Sequence, residues 1–300
     1  MAKKDIILTG CDGYQLSCRV FESSKATAVI QIIHGMEEHK ARYDAFAEFL
    51  SKKGFTVITS DLRGHGENAP ILSHISNKKG DVLIIDDQKV IRKYIEEKYP
   101  ELPVYLFGHS MGTIISRVLM QSEGDKYQKV ALSGYVNPNP VAGIGCVLTK
   151  IISCFKGPKA KSKLLDAMTT GSFNKDIENP RTALDWLSYN KTNVDNYIAD
   201  PLCGVPFSVG SYYTLMKLLS RMGKANAYKK SKEEQPILLI SGKDDPCTGF
   251  DKGRVASKEL FEKAEYKNIS VVTLDHMRHE ILNEKDNQKV YDEIASFFLA

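Results

Sequence analysis

Short β-rich runs alternate with longer segments of helical periodicity along most of the chain. That alternation restricts the fold to a mostly parallel sheet covered by helices. Asp5 to Leu8 and Gln15 to Phe21 flank the turn Cys11-Asp12-Gly13 and predict an antiparallel hairpin. Thr27 to Ile33, Phe55 to Ser60, Val104 to Phe107, Lys129 to Leu132, Pro236 to Ser241 and Ile269 to Leu274 complete a set of eight expected strands. Between them, Arg42 to Ser51 places Tyr43, Phe46, Phe49 and Leu50 on one helical face. Asp81 to Tyr99 carries Val82, Ile85, Val90, Ile91 and Ile95, and both segments read as crossover helices. Further helices are expected over Met111 to Ser122, over Ser208 to Arg221 as a return to the sheet, over Lys252 to Glu265 and over Asn283 to Leu299.

The alternation stops over residues 137–207. No strand-like run occurs there, and Pro138, Pro140, Gly157, Pro158, Gly171, Pro180 and Pro201 punctuate short helical pieces. The reading is one α/β core, residues 1–136 and 208–300, interrupted by a helical cap at 137–207. A length of 300 residues is compatible with one such core plus an insertion.

Composition removes several classes of function. Apolar residues at 42% and charged residues at 26% exclude a disordered or fibrous chain. Forty-one basic against 37 acidic residues leave a net charge of +4, too small and too dispersed for a phosphate-backbone partner, so no nucleic-acid partner is expected. The longest apolar stretches fall short of the roughly 20 residues that span a bilayer. Met1-Ala2-Lys3-Lys4 is followed by only Ile6 to Leu8 before Thr9, so the N-terminus reads as mature sequence rather than a signal peptide. The six cysteines form no CxxC pair, which argues against a zinc ribbon or thioredoxin-like site. As free thiols they suggest a reducing, cytoplasmic setting.

Chemistry concentrates where expected strands end. Gly108-His109-Ser110-Met111-Gly112 fits GxSxG after one strand and before a helix, a setting in which a sharp turn lifts the serine Oγ clear of the sheet edge. A serine hydroxyl is a weak nucleophile until a histidine takes its proton and a carboxylate orients that histidine. The acid is expected after the strand ending at Ser241, where Asp244 and Asp245 both stand. The histidine is expected after the strand ending at Leu274, where His276 and His279 both stand.

Together with His34-Gly35-Met36-Glu37-Glu38-His39, Arg42-Tyr43, Asp61-Leu62-Arg63-Gly64-His65-Gly66 and Glu280, these motifs stand in the order of a known family. The chain resembles an α/β-hydrolase of the monoacylglycerol lipase and lysophospholipase group, related to the serine aminopeptidases. The resemblance covers nearly the whole length and is weakest in the cap. Glu67-Asn68 departs from it, replacing a serine common after the GHG turn. It implies a catalytic triad of Ser110, Asp245 and His279, with Asp244 a solvated neighbour and His276 a loop residue. His34, His65 and His109 are then structural. The oxyanion of acyl transfer would meet the backbone N–H groups of Met36 and Met111.

The implied function is hydrolysis of carboxylic esters through an acyl-enzyme, with a single-chain lipid ester such as a monoacylglycerol or lysophospholipid as substrate. An aminopeptidase of the same fold is the alternative, disfavoured because the cap acids Asp166, Asp176, Glu178, Asp185, Asp195 and Asp200 form no cluster in sequence. A non-catalytic ligand-binding member of the fold is a second alternative, disfavoured because the triad is complete. No cofactor, no metal and no obligate protein partner are expected. The sequence leaves the substrate-binding residues unidentified, with the cap stretch Val141 to Phe155 as candidates. That stretch is apolar and is followed by Lys156, Lys159, Lys161 and Lys163. Two readings stand: a helix packed on the core with a solvated lysine face, which is the simpler, or a transient contact with a membrane surface. Phe173, Trp186, Tyr189 and Tyr197 are expected to form a small cap core.

Overall fold

The computed structural model describes residues 2–139, 141–228 and 234–300. Pro140, one of the expected breaks, lies outside the described residues. The sheet contains β1 (Ala2–Thr9), β2 (Gln15–Glu22), β3 (Ala28–Ile33), β4 (Phe55–Ser60), β5 (Val104–His109), β6 (Lys129–Ser133), β7 (Ile237–Gly242) and β8 (Ile269–Leu274). Their spatial order is β1-β2-β4-β3-β5-β6-β7-β8. β2 runs antiparallel to both β1 and β4, and the remaining pairs are parallel. The eight strands expected from sequence are these eight.

β3, β4 and β7 are buried at every position, as central strands covered on both faces must be. Successive side chains go to opposite faces. On one face Ile30, Ile32, Val57, Phe107 and Ile240 pack with Phe46 and Leu50 of α1 (Asp44–Lys52) and Val290, Ile294 and Phe298 of α9 (Asn287–Leu299). On the other, Val29, Ile33, Ile58, Leu106 and Leu239 pack with α2 (Gly80–Lys98), α3 (Met111–Glu123) and α8 (Phe250–Lys263). Each such fully buried aliphatic side chain contributes about 1.5–3 kcal/mol.

Two helices begin differently from the sequence reading. A 3-10 turn at Lys40–Tyr43 precedes α1, and another at Ile281–Asn283 precedes α9. The helix expected to return to the sheet, α7 (Val209–Met222), packs instead against α2, α3 and the inserted helix α4 (Ala142–Lys156), so it forms a second layer rather than covering strands. Between β6 and α7 the chain forms α4, α5 (Lys163–Thr169), a 3-10 turn at Asp185–Leu187 and α6 (Lys191–Ala199), and no strand among the described residues. Gly145 allows the close approach of α4 to α7, since a Cβ there would lie 2.6 Å from Met216 Sδ. No helix among the described residues is long and apolar enough to cross a membrane.

Candidate active site

Parallel strands deliver their following loops to one edge of the sheet, where open α/β folds place their sites. Ser110 follows β5, Met36 follows β3, Asp245 follows β7 and His279 follows β8. Four segments remote in sequence therefore converge.

Ser110 occupies the turn between β5 and α3 with φ 52° and ψ −121°. A non-glycine residue pays about 1–3 kcal/mol to sit in so sparsely populated a region, and the surrounding structure holds it there. Its N–H donates to the Ser133 carbonyl at 3.0 Å, and its own carbonyl accepts from the Thr113 N–H and hydroxyl at 2.8 and 2.7 Å. The flanking glycines serve approach rather than dihedral freedom. A Cβ on Gly112 would lie 2.1 Å from the Ile33 carbonyl oxygen, and one on Gly108 would lie 2.5 Å from Ser116 Oγ.

His279 Nε2 lies 2.8 Å from Ser110 Oγ, and its Nδ1 lies 3.1 and 3.0 Å from the two Asp245 oxygens. Asp245 is fully buried and is held in turn by the Cys247 N–H at 2.8 Å and the Thr248 hydroxyl at 2.6 Å. Burial alone would push the His279 imidazole down, but the Asp245 carboxylate overrides it and the pKa lies above its ordinary value. Burial likewise opposes ionisation of Asp245, and the His279 contact outweighs it, holding that carboxyl below the usual range. The alternatives left open by sequence separate cleanly. Asp244 is half-buried and accepts from the Tyr189 hydroxyl at 3.1 Å, and His276 is exposed in the loop after β8.

Met36 and Met111 both line a cavity of about 340 Å³ beside Ser110. Met111 opens α3, so its N–H has no intrahelical acceptor. The Met36 N–H has no acceptor among the described residues. The cavity is lined by Ile114, Val136, Leu215 and Met216 from the core side of the chain and by Met168, Thr169, Thr170, Ser172, Phe173 and Trp186 of the insertion. None of Val141 to Phe155 lines it: α4 lies on α7, away from Ser110. The cap residues that line it include Met168 and Thr169 at the end of α5 and Thr170, Ser172, Phe173 and Trp186 beyond it. Trp186 and Tyr197 do pack together as expected, with Phe173 against them. Trp186 also places its ring 5.0 Å from that of His279, while Tyr189 is exposed.

A second, smaller cavity on the other side of Ser110 is lined by Glu37, Glu38, Leu187, Tyr197 and Glu280 among others. Here the structure reveals a network that sequence reading passed over. Arg42 donates to Glu38 Oε2 at 2.7 Å and to both oxygens of Glu280 at 2.6 and 2.7 Å. Asn193 of α6 adds a bond to Glu280 at 2.6 Å. Glu38 Oε1 accepts the Gly35 N–H at 2.6 Å, fixing the loop one residue before Met36. The signal in sequence was three charged residues inside the motifs, with nothing to say that they meet. Beside them, burial lifts the Glu37 carboxyl to about 8, opposed chiefly by a bond from the Phe207 N–H at 2.9 Å. His34 accepts the Leu62 N–H at 2.9 Å and His65 accepts that of Glu37 at 3.3 Å, so both shape loops. His109 is buried beside His279, where burial pulls its imidazole down to about 4.

Comparison with known proteins places this geometry. The family described as serine aminopeptidase, S33 (Hydrolase_4) matches residues 24–286. The chain is 28% identical over 299 residues to a monoglyceride lipase of Homo sapiens, covering 96% of this chain and 88% of that protein. It is 30% identical over 270 residues to a monoglyceride lipase homolog of Monkeypox virus, covering 87% of this chain and 85% of the relative. Among solved structures, a thermostable carboxyl esterase from Bacillus coagulans in complex with glycerol superposes with a TM-score of 0.88 at 24% identity, over 100% of this chain and 98% of that one.

Proposed function

We propose that this chain, which belongs to the serine aminopeptidase (S33) family of α/β-hydrolases and is a carboxylic ester hydrolase, cleaves single-chain lipid esters, a monoacylglycerol or lysophospholipid, through an acyl-enzyme formed on Ser110. The observation that carries this reading is the continuous hydrogen-bonded line Asp245, His279, Ser110, ending in a cavity that Met36 and Met111 help to line.

Each step follows from that geometry. Asp245 holds His279 with Nε2 as the free acceptor, so the imidazole takes the serine proton as Oγ attacks the ester carbonyl. The negative charge that develops on the carbonyl oxygen meets the Met36 and Met111 amides. His279 then returns the proton to the leaving alcohol, and a water activated by the same histidine releases the acyl group. The larger cavity offers Ile114, Val136, Leu215 and Met216 to the acyl chain, and the smaller one offers Glu37 and Tyr197 to the leaving alcohol. Residues 137–207 act as the cap over a core of residues 1–136 and 208–300, with Met168 to Phe173 and Trp186 facing the substrate.

An aminopeptidase needs an ionised carboxylate free to hold the substrate amine. No cap acid lines either cavity among the described residues, and Glu38 and Glu280 are already bound to Arg42. The outer face of α4 supports a membrane-surface contact: Val141, Ile144, Val147, Ile151 and Phe155 recur at helical spacing and are at least half exposed, beside the exposed Lys156, Lys159 and Lys163. The apolar row and its lysines would rest on an anionic lipid surface from which the substrate is drawn.

The test is turnover of defined monoacylglycerols, lysophospholipids, a nitrophenyl ester and aminoacyl amides. Ser110→Ala and His279→Ala should each lower kcat for the preferred ester by roughly 10⁴-fold or more, and the double variant should lose little beyond either single one. Faster turnover of the amides than of any ester would overturn the assignment.

A further inference from the structure

His39, Asp200 and Cys203 bring an imidazole nitrogen, a carboxylate oxygen and a sulfur within 4.8 Å of one another. They lie outside the catalytic line and have no part in the chemistry above. We propose that these three side chains form a binding site for a divalent metal of zinc type, which fastens the turn after α6 to the loop that carries Met36.

The local chain is built for such a site. In Asp200-Pro201-Leu202-Cys203-Gly204 the Cys203 N–H donates to the Asp200 carbonyl at 3.0 Å, closing a turn that puts the first and fourth side chains on the same side. Two intervening residues is a spacing common between paired zinc ligands. The Leu202 N–H donates to Asp200 Oδ1 at 2.9 Å, which orients the carboxylate and leaves Oδ2 to face His39 Nε2 at 2.9 Å. Gly204, at φ 64°, then leads the chain away, its N–H bonded to the Glu37 carbonyl at 2.9 Å. Turn and loop are thus already in register.

Nitrogen, oxygen and thiolate sulfur together suit a metal of intermediate softness, and three protein ligands leave a fourth tetrahedral position for water. At bond lengths of about 2.0–2.3 Å tetrahedral ligands stand roughly 3.3–3.6 Å apart, so His39 Nε2 and Asp200 Oδ2, now 2.9 Å apart, would open by a few tenths of an ångström to admit the ion while Cys203 Sγ draws in from within 4.8 Å. His39 and Asp200 are only partly buried, so an ion can reach the site. The charged groups around Cys203 are Arg42, Glu38, Asp200 and Glu280, and Arg42 is engaged by the two glutamates. Binding replaces the thiol proton: Cys203 S–H and a divalent ion give a sulfur–metal bond and a released proton.

The experiment uses the full-length chain, stripped with a chelator and titrated with zinc against a chromophoric zinc indicator, with cobalt as a spectroscopic stand-in. One zinc per chain should bind, cobalt should give a thiolate charge-transfer band, and zinc should raise the melting temperature. Cys203→Ala should abolish the band, and His39→Gln and Asp200→Asn should each weaken zinc binding by at least about tenfold. Because Cys203 packs against Trp186 and Tyr197, Cys203→Ser serves as the second variant, and Cys247→Ala as the control that leaves binding intact. Folding of every variant is verified by circular dichroism. Absence of binding tighter than about 10 µM, or binding unchanged in the folded Cys203 and His39 variants, overturns the proposal. None of these three readouts depends on Ser110 or on the identity of the ester.

Discussion

Replacing Arg42 by methionine tests whether the buried charge network positions the oxyanion loop. Arg42 has 11% of its side chain exposed, and Glu38 and Glu280 have 4% each. Methionine fills much of the same volume but leaves both carboxyls without their cation. Removing one partner of a buried pair costs about 3–5 kcal/mol. At about 2.1 cal/mol/K per residue, a chain of 300 residues would lose roughly 5–8 °C in Tm. Burial opposes ionisation of both glutamates, and Arg42 overrides it, holding each below the usual carboxyl range. Without Arg42 both carboxyls titrate upward and can be neutralised in mild acid. The Tm gap between wild type and variant should therefore be wide at pH 8 and narrower at pH 5. Kinetically, a slack Glu38 loosens its 2.6 Å hold on the Gly35 N–H and with it the neighbouring Met36 amide. Complete loss of one oxyanion donor costs about 10²–10³ in kcat, so partial misplacement should lower kcat by about 10–100-fold with KM nearly unchanged. Arg42→Lys keeps the charge but loses the fork that serves both carboxylates, and should fall between. Steady-state kinetics with a soluble ester, paired with melts at both pH values, provide the readout. Wild-type kcat and Tm in Arg42→Met would refute the positioning role. A raised KM at full kcat would make Arg42 a substrate-binding group instead.

His279 must be neutral to accept the serine proton and its pKa is raised, so kcat/KM should climb with pH through an apparent pKa above 6.5, and Asp245→Asn should lower both that pKa and the rate. A pH profile in which Asp244→Asn is the damaging change would contradict the assignment. Glu37 holds a proton in the folded chain up to about pH 8 that the unfolded chain loses near 4.5, so stability should fall as pH rises between those values, by at most about 1.4 kcal/mol per pH unit. Glu37→Gln should flatten that slope in denaturant titrations, and an unchanged slope would show that Glu37 is ionised. The pair Ile144→Glu and Phe155→Glu, on the outer face of α4, should weaken pelleting with anionic vesicles and hydrolysis of vesicle-borne monoacylglycerol while sparing short soluble esters within about twofold. Equal losses on both substrates would remove the membrane contact.

The strands and the elbow could be read from sequence because their signals are local. An apolar run such as Ala28–Ile33 reports burial on two faces, and the residues around Ser110 combine a strand end, a glycine pair and a helix start within a few positions. The choice between Asp244 and Asp245, or His276 and His279, was not available from the residues alone, since either member stands beyond the right strand. A resemblance supplied it; in the fold His279 Nε2 lies 2.8 Å from Ser110 Oγ, whereas His276 is exposed. The two readings of Val141 to Phe155 could not be separated by sequence, because an apolar helix has the same periodicity whether it lines a cavity or lies on another helix. In the fold it packs on α7. Arg42 meeting Glu280, 238 residues away, and His39 meeting Asp200, 161 residues away, leave no trace in spacing at all. Periodicity records how one segment divides its faces between core and solvent, whereas which side chains meet across segments depends on the order of strands and the loops they deliver, and that order exists only in the folded chain.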